Sequence, residues 1–215
     1  MKKIVIIGAG GFAKKVVSLI NDINEKEPGW ELLGFIDDDI NKKHAKINGI
    51  EVLGNLEDYI RMNDEIWCVI AIGNGTIREK IASKIKNKKF ATLIHPNVII
   101  DEYVNIGVGV IICCNNAVAV NTNIADHCII NFGGTVGHDV TLEKYVTICP
   151  GVNLSGNTLI GEKVMLGAGS VILQGIQIGS STVVGAGSVI IKNIPKDCTV
   201  VGNPGKIVKI SGRRV

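Results

Sequence analysis

The sequence predicts a small α/β domain followed by an all-β solenoid of six-residue segments, and three observations carry that prediction. From Ile100 to Ile190 every sixth residue is Ile, Leu or Val, sixteen positions out of sixteen, with no insertion. Residues 1–93 lack this period and alternate apolar strand patterns with helical ones. Aromatic residues make up only 4% of the chain, as expected where stacked coils fill a narrow interior with aliphatic and β-branched side chains.

Written as hexads, the repeat runs through IGVGVI, VGHDVT, LSGNTL and VGAGSV. The fifth place is small or β-branched at Val104, Val110, Thr122, Val140, Val146, Thr158, Ser170 and Thr182, while places two to four are Gly-rich or polar. Two inward positions per six residues, separated by a corner, describe a short strand, a turn and another short strand wound into a prism. Three hexads complete one turn of a three-sided prism. Residues eighteen apart then lie one above another at the strand spacing of about 4.8 Å.

The domains expected are 1–93, 94–200 and a C-terminal tail, 201–215. Lys206, Lys209, Arg213 and Arg214 make that tail basic, and it reads as a solvated segment. A net charge of +3 is too weak to argue for a nucleic-acid partner. The six cysteines form no CxxC pair and are expected as free thiols in a reducing cytoplasm. Lys2 and Lys3 before Ile4–Ile7 resemble the start of a signal peptide, but the apolar run stops at Gly8 and a first β-strand explains it better. No stretch approaches the ~20 apolar residues that membrane insertion requires.

In the N-terminal domain, KKIVIIGAGGFAKKVVSLI reads as a strand (Lys3–Ile7), a glycine turn (Gly8–Gly11) and a helix carrying Val16, Val17, Leu19 and Ile20. Glycines let the backbone approach a phosphate, and the free N–H groups of a helix start favour an anion. A second strand, Glu31–Ile36, ends in Asp37, Asp38 and Asp39, whose carboxylates suit ribose hydroxyls or a base. A third, Glu65–Ile72, leads into Gly73, Asn74 and Gly75, with Arg78 in the first turn of the next helix. All three groups lie at carboxyl ends of strands, where open parallel sheets bind ligands. The same glycines also fit an NAD fingerprint or a purely structural turn. The domain is short for a dinucleotide fold and the solenoid offers no hydride chemistry, so a nucleotide attached to something else fits better.

The solenoid must hold the chemistry. His138 and Gly156 are eighteen apart, both at the third place of a hexad. An imidazole and a peptide N–H with no side chain before it are expected on neighbouring coils of one edge. A base beside an uncrowded donor is what acyl transfer needs: one takes the proton of the attacking group, the other polarises the carbonyl. Asp139 can hold the second ring nitrogen and fix the tautomer; taken alone, the pair also fits an ordinary solvent-facing turn. His127 falls on another side of the prism, His95 precedes Pro96 where the domains join, and His44 lies in a polar loop. Four scattered histidines without HxxxxH do not build a zinc site, so no metal is expected. Cys113, Cys114 and Cys149 sit at corners with no base beside them and read as structural.

GAGGFAKKV, FIDDD, AIGNGTIREKI, LIHPNVII, INFGGTVGHDVTL, PGVNLSGNTLIG, the GAG turns and VGNPGKIV together resemble the bacterial nucleotide-sugar N-acetyltransferases that act on UDP- or GDP-linked 4-amino sugars, and their sialic acid O-acetyltransferase-like relatives. The resemblance implies a Rossmann-like domain followed by a left-handed parallel β-helix, and a homotrimer with active sites between subunits. It implies acetyl-CoA as co-substrate and a nucleotide-linked amino sugar as acceptor. The catalytic base falls on His138, its acidic neighbour on Asp139, the upstream asparagine on Asn131 and the glycine facing the thioester on Gly156. Acetyl-CoA would run past Ala168 and Ala186; the nucleotide sugar would lie against Gly10, Gly11 and Phe12, with Asp37 and Asp38 on base or ribose and Gly73 closing the site. Thr147 stands where many members carry a second histidine, Gly205 where the closing motif commonly has alanine, and Phe12 where some relatives have histidine.

The reaction expected is direct transfer from acetyl-CoA to the 4-amino group, without an acyl-enzyme. Rival readings are O-acetylation of a sugar hydroxyl such as that of a sialic or legionaminic acid, a non-catalytic nucleotide-binding trimeric scaffold, and an NAD-dependent oxidoreductase.

Overall fold

The computed structural model describes residues 1–214. Its N-terminal domain runs β1 (Lys2–Ile7), α1 (Gly11–Lys26), β2 (Trp30–Ile36), β3 (Lys46–Ile47), β4 (Ile50–Gly54), α2 (Leu56–Ile60), β5 (Trp67–Ile70), α3 (Gly75–Lys84) and β6 (Lys89–Phe90). The sheet order is β3-β4-β2-β1-β5-β6, parallel except for the β3–β4 hairpin. Ile4, Val5 and Ile6 are wholly buried because β1 lies mid-sheet with a layer on each face. No helix is long and apolar enough to cross a membrane among the described residues.

From Leu93 the chain winds into a left-handed parallel β-helix of two-residue strands. Its first face stacks Leu93–Ile94, Ile111–Ile112, Ile129–Ile130, Thr147–Ile148, Met165–Leu166 and Val183–Val184. The second stacks Ile99–Ile100 to Val189–Ile190, and the third Asn105–Ile106 to Gln177–Ile178. Every pairing between these strands joins residues eighteen apart, as in Thr135 with Asn153 and Ile112 with Ile130. First-place residues from Ile112 to Ile190 are at most 2% exposed, so each coil buries its aliphatic side chains against the next. The fourth place takes positive φ in each hexad from Tyr103 to Gly187, including Asn121 (60°), Asp139 (55°) and Asn157 (56°). That left-handed backbone turns every corner and accounts for the glycine, asparagine and aspartate found there.

The closing residues depart from the expected solvated tail. Lys206–Ile210 pairs antiparallel with Cys198–Val201, and Arg213–Arg214 pairs with it in turn, extending the first face. The exposed basic side chains gave the solvated reading; the strand was carried by Ile207, Val208 and Ile210, with Ile207 packing on the solenoid core.

The two domains share a core. Outward-facing Leu93, Ile111 and Ile129 of the first face are at most 2% exposed because they pack in one cluster with Ala13, Val16, Leu19 and Ile20 of α1. Each such burial stabilises by roughly 1.5–3 kcal/mol. Polar ties flank this contact. His95 accepts from the Asn97 N–H at Nδ1 (3.0 Å), which leaves its Nε2–H to donate to Asp22 (3.1 Å). Gly75 approaches Tyr145 so closely that a Cβ would meet its carbonyl oxygen at 2.5 Å and the Lys163 backbone at 3.1 Å.

Arg78 departs from the ligand role its position invited. It is 1% exposed, and its guanidinium donates to five carbonyls: His127 (3.0 Å), Ile72 (2.8 Å), Gly73 (3.0 Å), Tyr145 (2.6 Å) and Val146 (3.0 Å). Burial lowers its pKa to about 10, and it remains charged at neutral pH. Only the planar five-donor fork spans these acceptors. Arg78→Met should therefore cost about 3–5 kcal/mol in urea unfolding, because the carbonyls lose their donor in a site water does not reach; Arg78→Lys should recover only part of it.

His127 lies in the same junction, stacked on Tyr145 (5.2 Å, 3°) and edge-on to Phe90 (4.7 Å), its Nδ1 without a partner. Desolvation lowers its pKa to about 4. The folded state thus resists a proton the unfolded chain accepts near 6.5, so stability is full above pH 6.5 and falls as pH drops toward 4. Urea midpoints over this range should show a loss of roughly 3 kcal/mol, and His127→Phe should flatten that slope.

Candidate active site

The edge between the second and third faces carries His138, Asp139, Gly156 and Asn121. The eighteen-residue register brings His138 and Gly156 together as the sequence requires: a Cβ on Gly156 would collide with Nε2 of the His138 ring. Coil contacts fix both, since the Asn157 N–H donates to the His138 carbonyl (2.9 Å) and Gly175 to that of Gly156 (3.0 Å). The Gly156 N–H donates to no protein group among the described residues.

His138 Nδ1 lies 2.7 Å from Asp139 Oδ2. An ionised carboxylate only accepts, so the ring proton sits on Nδ1 and Nε2 keeps a free lone pair, with the ring lying over the bare Cα of Gly156. The hydrogen bond to His138, and after it one from Asn121, hold the Asp139 carboxyl below its usual range. Asn121 Nδ2 donates to Asp139 Oδ1 (3.1 Å). Sequence reasoning missed Asn121, although it precedes Asp139 by the same eighteen residues that paired His138 with Gly156. The His138 ring is open to solvent, its side chain 48% exposed.

Asn131, Ala168 and Ala186 lie on a different edge, between the first and second faces. The Asn131 side chain accepts from the Phe132 N–H (3.0 Å). Lys15 of α1 reaches this edge, its Nζ 4.0 Å from the centre of the Phe132 ring, so the glycine loop stands beside Asn131 and not beside His138.

At the loop itself, Gly10 caps α1 without a side-chain hydrogen bond, and neither Gly10 nor Gly11 has an atom within 4 Å of where a Cβ would stand. The first N–H groups of α1 are thus unscreened. Phe12 is half-buried against the inter-domain core. Gly8, Asp37, Asp38, Leu56, Ile72 and Ile77 line a cavity of about 210 Å³. Asp37 already accepts from the Ala9 N–H (2.8 Å) and the Asp39 N–H (3.0 Å) and pairs with Lys42 (3.2 Å), which shapes the loop; Asp38 accepts from the Leu56 N–H (2.9 Å). Gly73 accepts from Thr147 Oγ1 (2.7 Å). Thr147, which stands where many family members carry a second histidine, therefore props the loop after β5 from the first face.

None of the thiols with a shifted pKa is activated. All six are free, and burial pushes the Cys113 and Cys128 thiols up to about 12 and raises that of Cys149, so these sulfurs are poor nucleophiles.

Residues 3–85 match the PglD N-terminal domain and residues 157–192 the bacterial transferase hexapeptide repeats. GDP-perosamine N-acetyltransferase of Escherichia coli O157:H7 is 32% identical over 218 aligned residues, covering 96% of each chain. The chain belongs to the nucleotide-sugar N-acetyltransferase family. Among solved structures, the acetyltransferase domain of PglB from Neisseria gonorrhoeae in complex with acetyl coenzyme A has a TM-score of 0.87 at 32% identity, covering 96% of this chain and 98% of that one. PerB from Caulobacter crescentus, in complex with CoA and GDP-perosamine, also reaches 0.87 at 29% identity, covering 95% and 96%.

In this acetyltransferase, Gly156→Ala should lower kcat/KM at least about a hundredfold, because the added methyl meets the His138 ring and crowds the Gly156 amide. Thermal unfolding should change little, since the ring the methyl meets is exposed and free to swing away; a loss of activity matched by a collapse in stability would contradict the assignment.

Proposed function

We propose that the protein transfers the acetyl group of acetyl-CoA to the 4-amino group of a nucleotide-linked amino sugar, with His138 as general base. The observation that carries this reading is the His138 ring standing over side-chain-free Gly156 of the next coil, with Nδ1 held by Asp139 and Nε2 left free. The amine nitrogen attacks the thioester carbonyl carbon while its proton passes to Nε2. The carbonyl oxygen, negative in the tetrahedral intermediate, takes a hydrogen bond from the Gly156 N–H. Collapse breaks the C–S bond, and the CoA thiolate leaves and is protonated by the imidazolium. Asp139 stabilises that imidazolium and fixes its ring. Typical contributions are 10²–10⁴-fold for a positioned base and about 10²–10³-fold for one such donor.

The chain acts as a homotrimer in this reading. The glycine loop, Asn131, Ala168 and Ala186 belong to one edge and His138 to another, so one chain offers two half-sites that face different ways. Rotating copies about a common axis parallel to the solenoid sets the nucleotide-binding edge of one against the catalytic edge of the next. The acceptor would bind by its phosphates at the start of α1 and by its base or ribose in the cavity beside Asp37 and Asp38, with Gly73 closing the site. Acetyl-CoA would lie in the cleft between copies, its thioester at Gly156 and its body along Ala168 and Ala186 of the neighbour.

His138→Ala should reduce kcat by about 10²–10⁴-fold while the calorimetric Kd for acetyl-CoA stays within about threefold. Thiol release followed over UDP-, GDP- and dTDP-linked amino sugars, with sugar hydroxyls as controls, identifies the acceptor; a burst of CoA before any sugar is added would point to an acyl-enzyme instead. Co-refolding inactive His138→Ala with an inactive Gly10→Trp variant should restore activity if the site is shared. Persistent inactivity of the mixture, with mixed trimers present, would place both half-sites in one chain.

A further inference from the structure

We infer that Asn121 is a positioning residue for the base, so that His138 is ordered by a relay across three coils: Asn121 on the first, Asp139 and His138 on the second, Gly156 on the third. This rests on the reading of His138 as the base, and extends it to a residue that touches neither substrate.

Asn121 and Asp139 share the fourth hexad place, with φ of 60° and 55°, so their side chains leave the edge in the same direction. The backbone between them is pinned, since the Asp139 N–H donates to the Val120 carbonyl (3.1 Å). Each carboxylate oxygen then takes one partner: Oδ1 the Asn121 amide at 3.1 Å, Oδ2 the His138 Nδ1 at 2.7 Å. With both oxygens engaged, the plane of the carboxylate is set relative to the ring. An aspartate whose side chain is 44% exposed has solvent competing for both oxygens, and rotation of its terminal torsion breaks the bond to His138. The Asn121 amide opposes that rotation from a neighbouring coil. Other cross-coil pairs, Asn105 with Asn123 (3.0 Å) and Thr135 with Asn153 (2.8 Å), join strand positions on the third and second faces; this one ends on the imidazole.

The consequence is chemical. In a free histidine side chain the Nε2–H tautomer is the commoner form, and it presents a donor where the reaction needs a lone pair. Asp139 selects Nδ1–H only while it is aimed at that nitrogen.

Asn121→Gly and Asn121→Asp both suit a left-handed backbone and both remove the donor. The first readout is NMR of the His138 ring nitrogens, assigned by their loss in His138→Ala: the wild type should be mainly Nδ1–H and both variants should gain Nε2–H. The second is a kinetic cycle with Asp139→Asn, using acetyl-CoA and the acceptor sugar with the highest rate. Asn121→Gly should lower kcat about tenfold with both KM values within about twofold, and should cost nothing further in the Asp139→Asn background, because residues that act through one another do not add. An unchanged tautomer ratio, or losses that multiply in the double variant, would overturn the relay. A shifted tautomer with wild-type kcat would keep the relay and overturn His138 as base, so the two failures are distinguishable.

Discussion

Everything in this molecule depends on the unbroken eighteen-residue coil. Each turn hydrogen-bonds to the next through two-residue strands, and each buries a first-place aliphatic and a fifth-place small or branched residue. One inserted residue would rotate every later side chain to another part of the prism. The edge that carries His138 needs this constancy, because Asn121, the His138–Asp139 pair and Gly156 come from three successive coils. No local turn could hold His138 against Gly156; the stacking does so as a by-product of burying the core.

The second constraint is the docking of the α/β domain onto the first face. Apolar side chains supply the area, while Arg78, Gly75 and Thr147 supply direction. The buried guanidinium meets only carbonyl dipoles, a costly arrangement that is tolerable because all five donors are used. Through this contact the glycine loop is held beside Asn131 and Phe132 rather than beside His138. The placing of the glycine loop and His138 on different edges thus follows from where one domain sits, and under the proposed function it gives assembly of several copies a chemical purpose.

Much of this was legible in the sequence. The hexad period gave the coil, the inward positions and the His138–Gly156 pair, because a repeat turns sequence distance directly into spatial distance. The same arithmetic places Ala168 twelve residues beyond Gly156, two-thirds of a coil, and hence on another edge, which accords with the shared sites the family resemblance implies. Asn121 was equally within reach of the eighteen-residue rule. Arg78 was not, since an arginine in the first turn of a helix after a glycine loop has the same local pattern whether it meets phosphate or a packed domain. Only the tertiary contact decides. Thr147 is a similar case, its hydroxyl given a role by a loop seventy-four residues away. The C-terminal strand was hidden by its charges, which mark its exposed side chains and not its backbone pairing.

The central claim is that one imidazole takes the acceptor's proton while one peptide amide on the adjacent coil holds the thioester carbonyl. A crystal structure of the trimer with acetyl-CoA and a non-reactive analogue of the acceptor sugar tests it most directly. The account predicts the thioester oxygen about 3 Å from the Gly156 nitrogen and the acceptor atom at hydrogen-bond distance from His138 Nε2. A thioester bound at another edge, or a sugar atom that approaches it with no contact to His138, would contradict it.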